Sequence, residues 1–186
     1  MGTQIRLALL LSLPDGKDVT AMNEIFSRVS IRKFTDQQVE REKIVAMLRA
    51  AMQAPSAHNQ QPWEFYVISD KETLEKLSHI SKYSMCIKNA PMAIVSAYRT
   101  DPALPSPKFF HVDMSIAMEN LWLEATHQGL GGVWIGTAPK EEIMQAVEEI
   151  VGIPEGQRAF AVFPFGYPAQ EKEQQDRFDS TRIHWL

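Results

Sequence analysis

Met92-Ala93-Ile94-Val95-Ser96-Ala97-Tyr98 is an apolar run of strand length. Apolar residues at successive positions are typical of a strand that is buried on both faces, so we expect a central strand rather than an edge strand. Two other stretches rich in aromatic and β-branched residues, Trp63–Ile68 and Ala159–Phe165, predict further strands. This run therefore predicts the middle of a sheet.

Helical patterns separate the predicted strands. Apolar residues at spacings of three and four indicate a helix that ends near Ala54, because the residue before Pro55 is pushed out of helical geometry. The broad apolar stripe of His111–Gln128 predicts a helix that is buried on more than one face. Two shorter helices are predicted, one from Asp70 to about Ile80 and one that has Pro139 in its first turn and continues over Glu141–Val151. Strands that alternate with helices predict an α+β or α/β layered fold.

The composition limits the function classes. The chain has 186 residues, 45% of them hydrophobic and 23% charged, which is typical of one folded domain. A net charge of -4 argues against general nucleic-acid binding. The single cysteine, Cys86, excludes an intramolecular disulfide framework, fits a reducing cytoplasm and is expected to be a small core residue. We expect a cytoplasmic protein that binds neither nucleic acid nor membrane.

The N-terminus needs its own interpretation. The apolar run Leu7–Leu13 follows Arg6 but is too short to cross a membrane, and no clear cleavage pattern precedes Met22. We interpret residues 1–21 as an added arm rather than an export signal, and residues 22–186 as a single domain. If the arm is ordered, its leucines should dock on the chain's own domain or on a partner subunit.

A basic segment precedes the first long predicted helix. In an extended conformation, Arg28, Ser30 and Arg32 would lie on one face. Two guanidinium groups and a hydroxyl suit an anion such as phosphate. A solvated surface cluster of charges is the alternative explanation.

Two other stretches offer polar or backbone contacts. Ser56, Asn59 and Gln61 carry groups that could bond a polar heteroaromatic ring, although turn chemistry also explains them. The glycines of Gly129–Gly136 could let backbone N–H groups approach a flat ring, but an ordinary helix end uses the same residues. The histidines lack metal-ligand spacing, and no nucleophile motif is recognisable.

Four motifs occur in order: Arg-x-Ser-x-Arg-x-Phe at 28–34, Pro-Ser-Ala-x-Asn-x-Gln-Pro-Trp-x-Phe at 55–65, Gly-Leu-Gly-x-x-Trp-Ile-Gly at 129–136, and Gly-Tyr-Pro at 166–168 before a basic residue. Each motif alone is weak. In this order they resemble the FMN-dependent nitroreductase family, from Met22 to about Trp185.

The resemblance implies an α+β fold with a central mixed, mainly antiparallel sheet flanked by helices, in an intertwined homodimer with FMN at the subunit interface. It implies that the basic segment holds the phosphate and the ring edge, that a C-terminal arginine completes the phosphate site, and that the Pro55 loop of the second subunit lies against the flavin. The cofactor-binding residues are then Arg28, Val29, Ser30, Arg32, Pro55, Ser56, Ala57, Asn59, Ile135, Gly136 and Arg177. His58 and Gln60 stand at variable positions and are candidates for tuning substrate choice.

The activity implied is an NAD(P)H-dependent nitroreductase. NADH or NADPH gives a hydride to FMN and leaves, and a nitroaromatic, quinone or related acceptor then takes the electrons in a ping-pong mechanism. No catalytic side chain is expected, because the flavin carries the chemistry. The alternatives are an FMN enzyme of the same fold with other chemistry (dehalogenation or flavin breakdown), and a flavin-binding or redox-sensing protein with little turnover.

Overall fold

Helices and strands alternate along most of the chain in the structure, a computed structural model that describes residues 9–12, 18–21 and 23–186. The helices are α1 Asn23–Ser27, α2 Arg41–Met52, α3 Lys71–Leu77, α4 Phe110–His127 and α5 Glu141–Val151. The strands are β1 Leu9–Ser12, β2 Asp18–Ala21, β3 Trp63–Ile68, β4 Met92–Arg99, β5 Gly131–Gly132, β6 Ile135–Gly136 and β7 Gln157–Gly166.

The main sheet has five strands in the order β3-β4-β7-β5, and β6 also pairs with β7. All of these pairings are antiparallel, and an isolated parallel bridge joins Ser30 to Gly132. Strand β4 lies between β3 and β7, and its residues 93–98 are buried. The predictions of a central strand and of a mainly antiparallel sheet are confirmed.

Helix α4 contributes many of the buried side chains of the hydrophobic core. It packs against α1, α2, β4 and β5, and Met114, Met118 and Leu121 are fully buried along it. Burial of each such side chain stabilises the fold by about 1.5–3 kcal/mol. Because the neighbours surround α4 on several sides, the predicted burial on more than one face is confirmed.

Two helices end earlier than predicted. Helix α2 ends at Met52, two residues before Ala54. Helix α3 ends at Leu77 instead of about Ile80, and the chain then turns. In that turn the Ser84 hydroxyl donates to the Ser78 carbonyl (2.8 Å) and accepts from the Ser81 N–H (2.9 Å). Serine side chains that bond the backbone in this way compete with continued helix.

The N-terminal strands that the structure describes pair antiparallel, with Leu9 opposite Ala21 and Ser12 opposite Asp18. The predicted apolar run is described only over Leu9–Ser12. Met22, the proposed first residue of the domain, lies outside the described residues. Among the described helices, none has the length and apolar character needed to cross a membrane.

Candidate functional site

The basic segment runs beside β5 in an extended conformation, as predicted. Ser30 forms the parallel bridge with Gly132, and the Ile31 N–H donates to the Gly132 carbonyl at 2.9 Å. Ile31 is 5% exposed, whereas Arg32 is exposed and Ser30 is half-buried. This alternation anchors the segment through Ile31 and leaves its polar neighbours accessible.

Arg28 is already held by protein groups. Its guanidinium carbon lies 4.1 Å from the centroid of the Trp122 ring, and its Nε lies 3.9 Å from a Glu119 carboxylate oxygen. The side chain is 13% exposed. Cation–π contact and partial burial restrict the guanidinium before any ligand arrives. Sequence reasoning missed Trp122 and Glu119 as neighbours, because nothing in the local pattern joins α4 to this segment.

The C-terminal tail returns to the same segment. The Gln174 side-chain amide donates to the Arg28 carbonyl at 2.6 Å. Arg177, three residues later, is exposed and forms no hydrogen bond or ion pair with any residue in the described part of the chain. The fold therefore brings the C-terminal tail to Arg28 through Gln174.

The glycines of the third motif serve three different purposes. Gly129 has φ +75° and ends α4 in the left-handed conformation. A Cβ at Gly131 would lie 2.6 Å from Ile31 Cγ1, and one at Gly132 would lie 2.3 Å from Phe163 Cζ. At Gly136 the nearest atom to such a Cβ is Trp134 Nε1 at 3.8 Å. The alternative of ordinary structural glycines therefore applies to Gly131 and Gly132, which make room for protein groups, whereas Gly136 has open space beside it.

Gly136 borders a cavity of about 460 Å³. The cavity brings Arg32 together with Ile135 and Gly136, which are far away in sequence but were predicted to bind one ligand. Its other lining residues are Ser81, Lys82, Tyr83, Met85, Cys86, Trp134, Lys140 and Ile143. Most of these were missed, because the Ser81–Ala90 segment has no clear periodicity and Lys140 belongs to no motif.

The Pro55 loop does not line this cavity in the same chain. Pro55 and Asn59 are exposed, and Ser56 and Ala57 are half-buried. Gln61 bonds two other polar residues of the loop. Its backbone N–H donates to Ser56 Oγ (3.0 Å), and its side-chain amide donates to Asn59 Oδ1 (2.9 Å). Of the predicted residues, Arg32, Ile135 and Gly136 line this cavity, whereas Arg28, Val29, Ser30, Arg177 and the Pro55 loop do not.

Gln60 has a different role from the one expected. It is 6% exposed, and its amide bonds the Asp113 carboxylate and the Ser106 backbone. A buried side chain with its polar atoms satisfied in this way cannot select substrates by direct contact. The interpretation of Gln60 as a tuning residue is corrected by this burial, whereas His58 is exposed.

A family model described as "Nitroreductase family" matches residues 25–85 and 82–167. The chain belongs to the nitroreductase family. The match contains the basic segment, the Pro55 loop and the glycine motif, and it ends at the Gly-Tyr dipeptide. The resemblance inferred from the four motifs is confirmed.

Other nitroreductase-family proteins match over most of their lengths. A protein of Archaeoglobus fulgidus, provisionally named NADH dehydrogenase/NAD(P)H nitroreductase, is 44% identical over 86% of this chain and 94% of its own length. A crystal structure from Clostridium acetobutylicum, provisionally named NADH oxidase, has a TM-score of 0.82 and 45% identity, covering 87% of this chain and 97% of its own. An FMN-dependent nitroreductase from Clostridium difficile has a TM-score of 0.80 and 30% identity, with coverage of 87% and 96%.

The residues around the cavity fit a flavin of the kind that the motifs imply. Its volume lies within the range of about 300–1,000 Å³ that is usual for small-molecule sites. Arg32, Lys82 and Lys140 offer positive charge, Trp134 offers an aromatic face, and the open side of Gly136 admits close approach. This donor set suits a planar ring with polar edges and an anionic tail.

Cys86 lines the cavity and also packs, half-buried, against the hydrophobic core. Burial raises the pKa of its thiol, and the charge of Arg32 counteracts part of that rise. A neutral thiol is a poor nucleophile. The expectation of a small residue of the core rather than a nucleophile agrees with this environment, with Cys86 half-buried at the edge of the core.

A larger groove of about 1190 Å³ lies between α2, α3 and the start of β4. It contains neither Arg28 nor Arg32 and none of the residues of the glycine motif. We therefore place the functional site at the smaller cavity. Within the described residues, no group of three or more His, Cys, Asp or Glu side chains is placed to hold a metal ion.

Proposed function

We propose that this chain is an NAD(P)H-dependent flavin oxidoreductase that binds FMN at the cavity beside Arg32 and Gly136. The observation that carries the proposal is the meeting of Arg32, Ile135 and Gly136 around one cavity. The names of the related proteins support the same reductant and cofactor. The reductant is NADH or NADPH.

The phosphate of FMN would be held by guanidinium groups. Arg28, Ser30 and Arg177 supply two cations and a hydroxyl, a combination that binds phosphate bidentately. Val29 lies between Arg28 and Ser30 and would set the spacing of these two side chains. Trp122 holds Arg28 in place, so less side-chain freedom is lost on binding.

The ring would be oriented by the cavity walls. Bound FMN would supply the chemistry of hydride acceptance and electron release. Ile135 and Gly136 present backbone on one side, and Arg32 and Lys140 place positive charge near the ring, which favours negative charge upon reduction. No protein acid or base is assigned to the reaction.

A second subunit would complete the site. In the homodimer, the loop residues Pro55, Ser56, Ala57 and Asn59 of one subunit cover the cavity of the other. Pro55 and Asn59 are exposed, so this part of the loop is accessible to a second subunit. The domain comprises residues 22–186, residues 1–21 form an added arm, and the enzyme works in the cytoplasm.

The acceptors are nitroaromatics, quinones or related compounds, reduced by a ping-pong mechanism. Reductant and acceptor would use the same cavity in turn, as a ping-pong mechanism requires. The related proteins named NAD(P)H nitroreductase support this substrate class.

Purified protein tests the proposal directly. We expect it to be yellow, to release FMN rather than FAD on denaturation, and to lose its visible flavin absorption when mixed anaerobically with NADH or NADPH. Admission of 1,4-benzoquinone should restore the absorption. Protein that carries no flavin and takes up no added FMN would refute the proposal.

The alternatives differ in the second half of the experiment. If neither nucleotide bleaches the flavin, a binding or redox-sensing protein is favoured. If bleaching occurs but quinones and nitroaromatics do not restore the absorption, a halogenated aromatic acceptor should be tried, since that result favours dehalogenation.

A further inference from the structure

The Pro55 loop has an unusual backbone. His58, Asn59 and Gln61 have φ values of 52°, 53° and 45°, all in the left-handed region. L-residues other than glycine adopt this region at a cost in free energy, although histidine and asparagine do so more often than most. Three such residues within four positions persist only where surrounding contacts fix them.

A buried carboxylate supplies these contacts. Asp113, on the first turn of α4, is 2% exposed. Its Oδ1 accepts from the Ala57 N–H at 2.9 Å, and its Oδ2 accepts from the Gln60 side-chain amide at 2.6 Å. Both donors belong to the loop, so the loop satisfies the buried carboxylate and the carboxylate fixes the loop.

Gln60 connects this carboxylate to a second segment. Its Nε2 also donates to the Ser106 carbonyl at 2.9 Å, and its Oε1 accepts from the Ser106 N–H at 3.0 Å. Gln60 and Ser106 are 6% and 8% exposed. All polar groups of the Gln60 amide are directed at fixed protein atoms, which leaves its side chain one orientation.

His58 is fixed by the same segment. Its Nδ1 lies 2.6 Å from Ser106 Oγ, while its side chain is exposed. When the Ser106 hydroxyl donates to Nδ1, the ring proton lies on Nε2, which can then donate to an oxygen atom of a ligand.

Asp113 lacks a cationic partner among the described residues, so its burial depends on hydrogen bonds from the loop. Loss of one of these bonds leaves a buried charge undersatisfied, which is more costly than loss of a bond between neutral groups. An asparagine at this position would keep one acceptor, its side-chain oxygen, for the Ala57 N–H. Its NH₂ group would then face the Gln60 NH₂ group, and two donors cannot bond each other unless one of the two amides flips. The network is therefore sensitive to a change of one atom.

We propose that Asp113 and Gln60 are positioning residues that hold the Pro55 loop in its strained conformation, and that Ser106 directs His58 so that Nε2 contacts an oxygen atom of the electron acceptor. The second half rests on the function proposed above. The first half does not, because it concerns the folded chain alone.

Amide hydrogen exchange tests the first half without any flavin. In Asp113→Asn, we expect exchange of residues 55–61 to accelerate by about 10-fold or more, the effect of losing a bond to a buried charged group. Asp101→Asn is the matched control. Asp101 Oδ1 accepts from the Ala103 N–H at 2.8 Å on the exposed neighbouring turn, so its substitution should leave the Pro55 loop unchanged. An unchanged rate of amide exchange at residues 55–61 in Asp113→Asn would refute the proposal that Asp113 holds the loop.

Steady-state kinetics on the FMN-loaded protein test the second half. Ser106→Ala removes only the hydroxyl and keeps both backbone bonds to Gln60, so loop exchange should stay as in the unsubstituted protein. We expect the KM for 1,4-benzoquinone to rise by about 2-fold to 10-fold, the worth of one neutral hydrogen bond, with a smaller change in kcat. Asp113→Asn should raise the same KM.

The outcomes separate the two proposals. If the KM for quinone and nitrobenzene is unchanged in both Ser106→Ala and His58→Leu, the assignment of His58 is wrong. If the unsubstituted protein takes up no flavin, the proposed function fails, while the exchange measurement still decides the role of Asp113. If Asp113→Asn does not fold, Gln60→Ala, which leaves the Ala57 bond intact, provides the same exchange measurement.

Discussion

Arg28 carries the sharpest prediction at the scale of single residues. Arg28→Ala should weaken FMN binding by about 1.5–3 kcal/mol, because a charge-assisted contact to phosphate is lost. Fluorescence titration with FMN and with riboflavin, which lacks the phosphate, measures the effect. Lys33→Ala is the control, since Lys33 is the exposed cation next to Arg32.

Riboflavin distinguishes a phosphate contact from a packing defect. Arg28 also stacks on Trp122, so its removal could disturb α4. A loss confined to FMN supports the phosphate assignment. An equal loss for both ligands would assign Arg28 to packing instead.

Cys86 reports on the occupancy of the cavity. Since burial raises the pKa of its thiol, alkylation by iodoacetamide at mildly alkaline pH should be slower than for the same cysteine in unfolded protein. Because the folded pKa exceeds the unfolded one, the stability contributed by the neutral thiol is present below the unfolded pKa and is lost as the pH rises through the folded pKa. Mass spectrometry of the modified protein measures the alkylation rate.

Added FMN should slow this alkylation further, because Cys86 lines the same cavity as Gly136. Bovine serum albumin, or another protein with a free cysteine and no flavin site, controls for direct reaction of FMN with the reagent. An alkylation rate independent of FMN would contradict placement of the ring in this cavity.

The sequence motifs predicted site residues only where they are local. Arg28, Arg32, Ile135 and Gly136 are visible because each lies within a short pattern. Trp122, Asp113 and Cys86 are not, because their meaning depends on which elements the fold packs together. Burial of Gln60 was equally invisible, since a polar residue within a polar loop gives no sign that its amide faces inward.

At the scale of elements, the β5–β6 turn allows a matched pair of substitutions. Gly132→Ala should lower the free energy of unfolding by about 1–3 kcal/mol, because the new methyl group would overlap the buried Phe163 ring. Gly136→Ala meets open space and should change stability by less than about 0.5 kcal/mol. Denaturant unfolding of the protein without flavin measures both.

FMN affinity should respond in the opposite way to stability, because Gly136→Ala, which stays folded, is the variant expected to bind FMN more weakly. Gly136→Ala should weaken binding, since its methyl group enters the cavity, although the fold is intact. Unchanged affinity in Gly136→Ala would remove this residue from the flavin site.

Elements with strong periodicity were predicted well from the sequence. β3 has the bounds predicted for it, and α4 differs by one residue at each end, since hydrophobic pattern and burial agree there. The end of α3 was predicted too late, because hydroxyl groups of Ser78 and Ser84 bond the backbone and no apolar pattern records this. The pairing of the two-residue strands β5 and β6 with β7 could not be predicted from segments so short.

At the scale of the whole molecule, apolar side chains remain uncovered near the chain's end. Trp185 is 91% exposed, and Ile183 and Leu186 are exposed beside it. Large aromatic side chains are usually buried, so we predict that this tail packs on the second subunit of the proposed homodimer. Deletion of residues 183–186 should weaken the dimer by about 10-fold or more, since each large apolar side chain contributes about 1.5–3 kcal/mol when buried.

Sedimentation velocity over a range of concentrations measures the dimer constant. Glu173→Gln, an exposed change in the same tail, serves as the control. A dimer constant unaffected by the deletion would show that the tail is not part of the subunit interface.

The bond from Gln174 to the Arg28 carbonyl bears on which subunit supplies each arginine of the proposed phosphate site. It ties the tail to Arg28 of the same chain, and Arg177 follows within about 11 Å of extended backbone. If Arg28 and Arg177 hold the FMN phosphate as proposed, this link predicts that one polypeptide supplies both arginines. In mixed dimers of Arg28→Ala and Arg177→Ala subunits, each FMN site would then lack one of its two arginines, and neither site would bind FMN tightly. If the two arginines of a site came from different chains, one of the two sites would have both arginines and would bind FMN tightly.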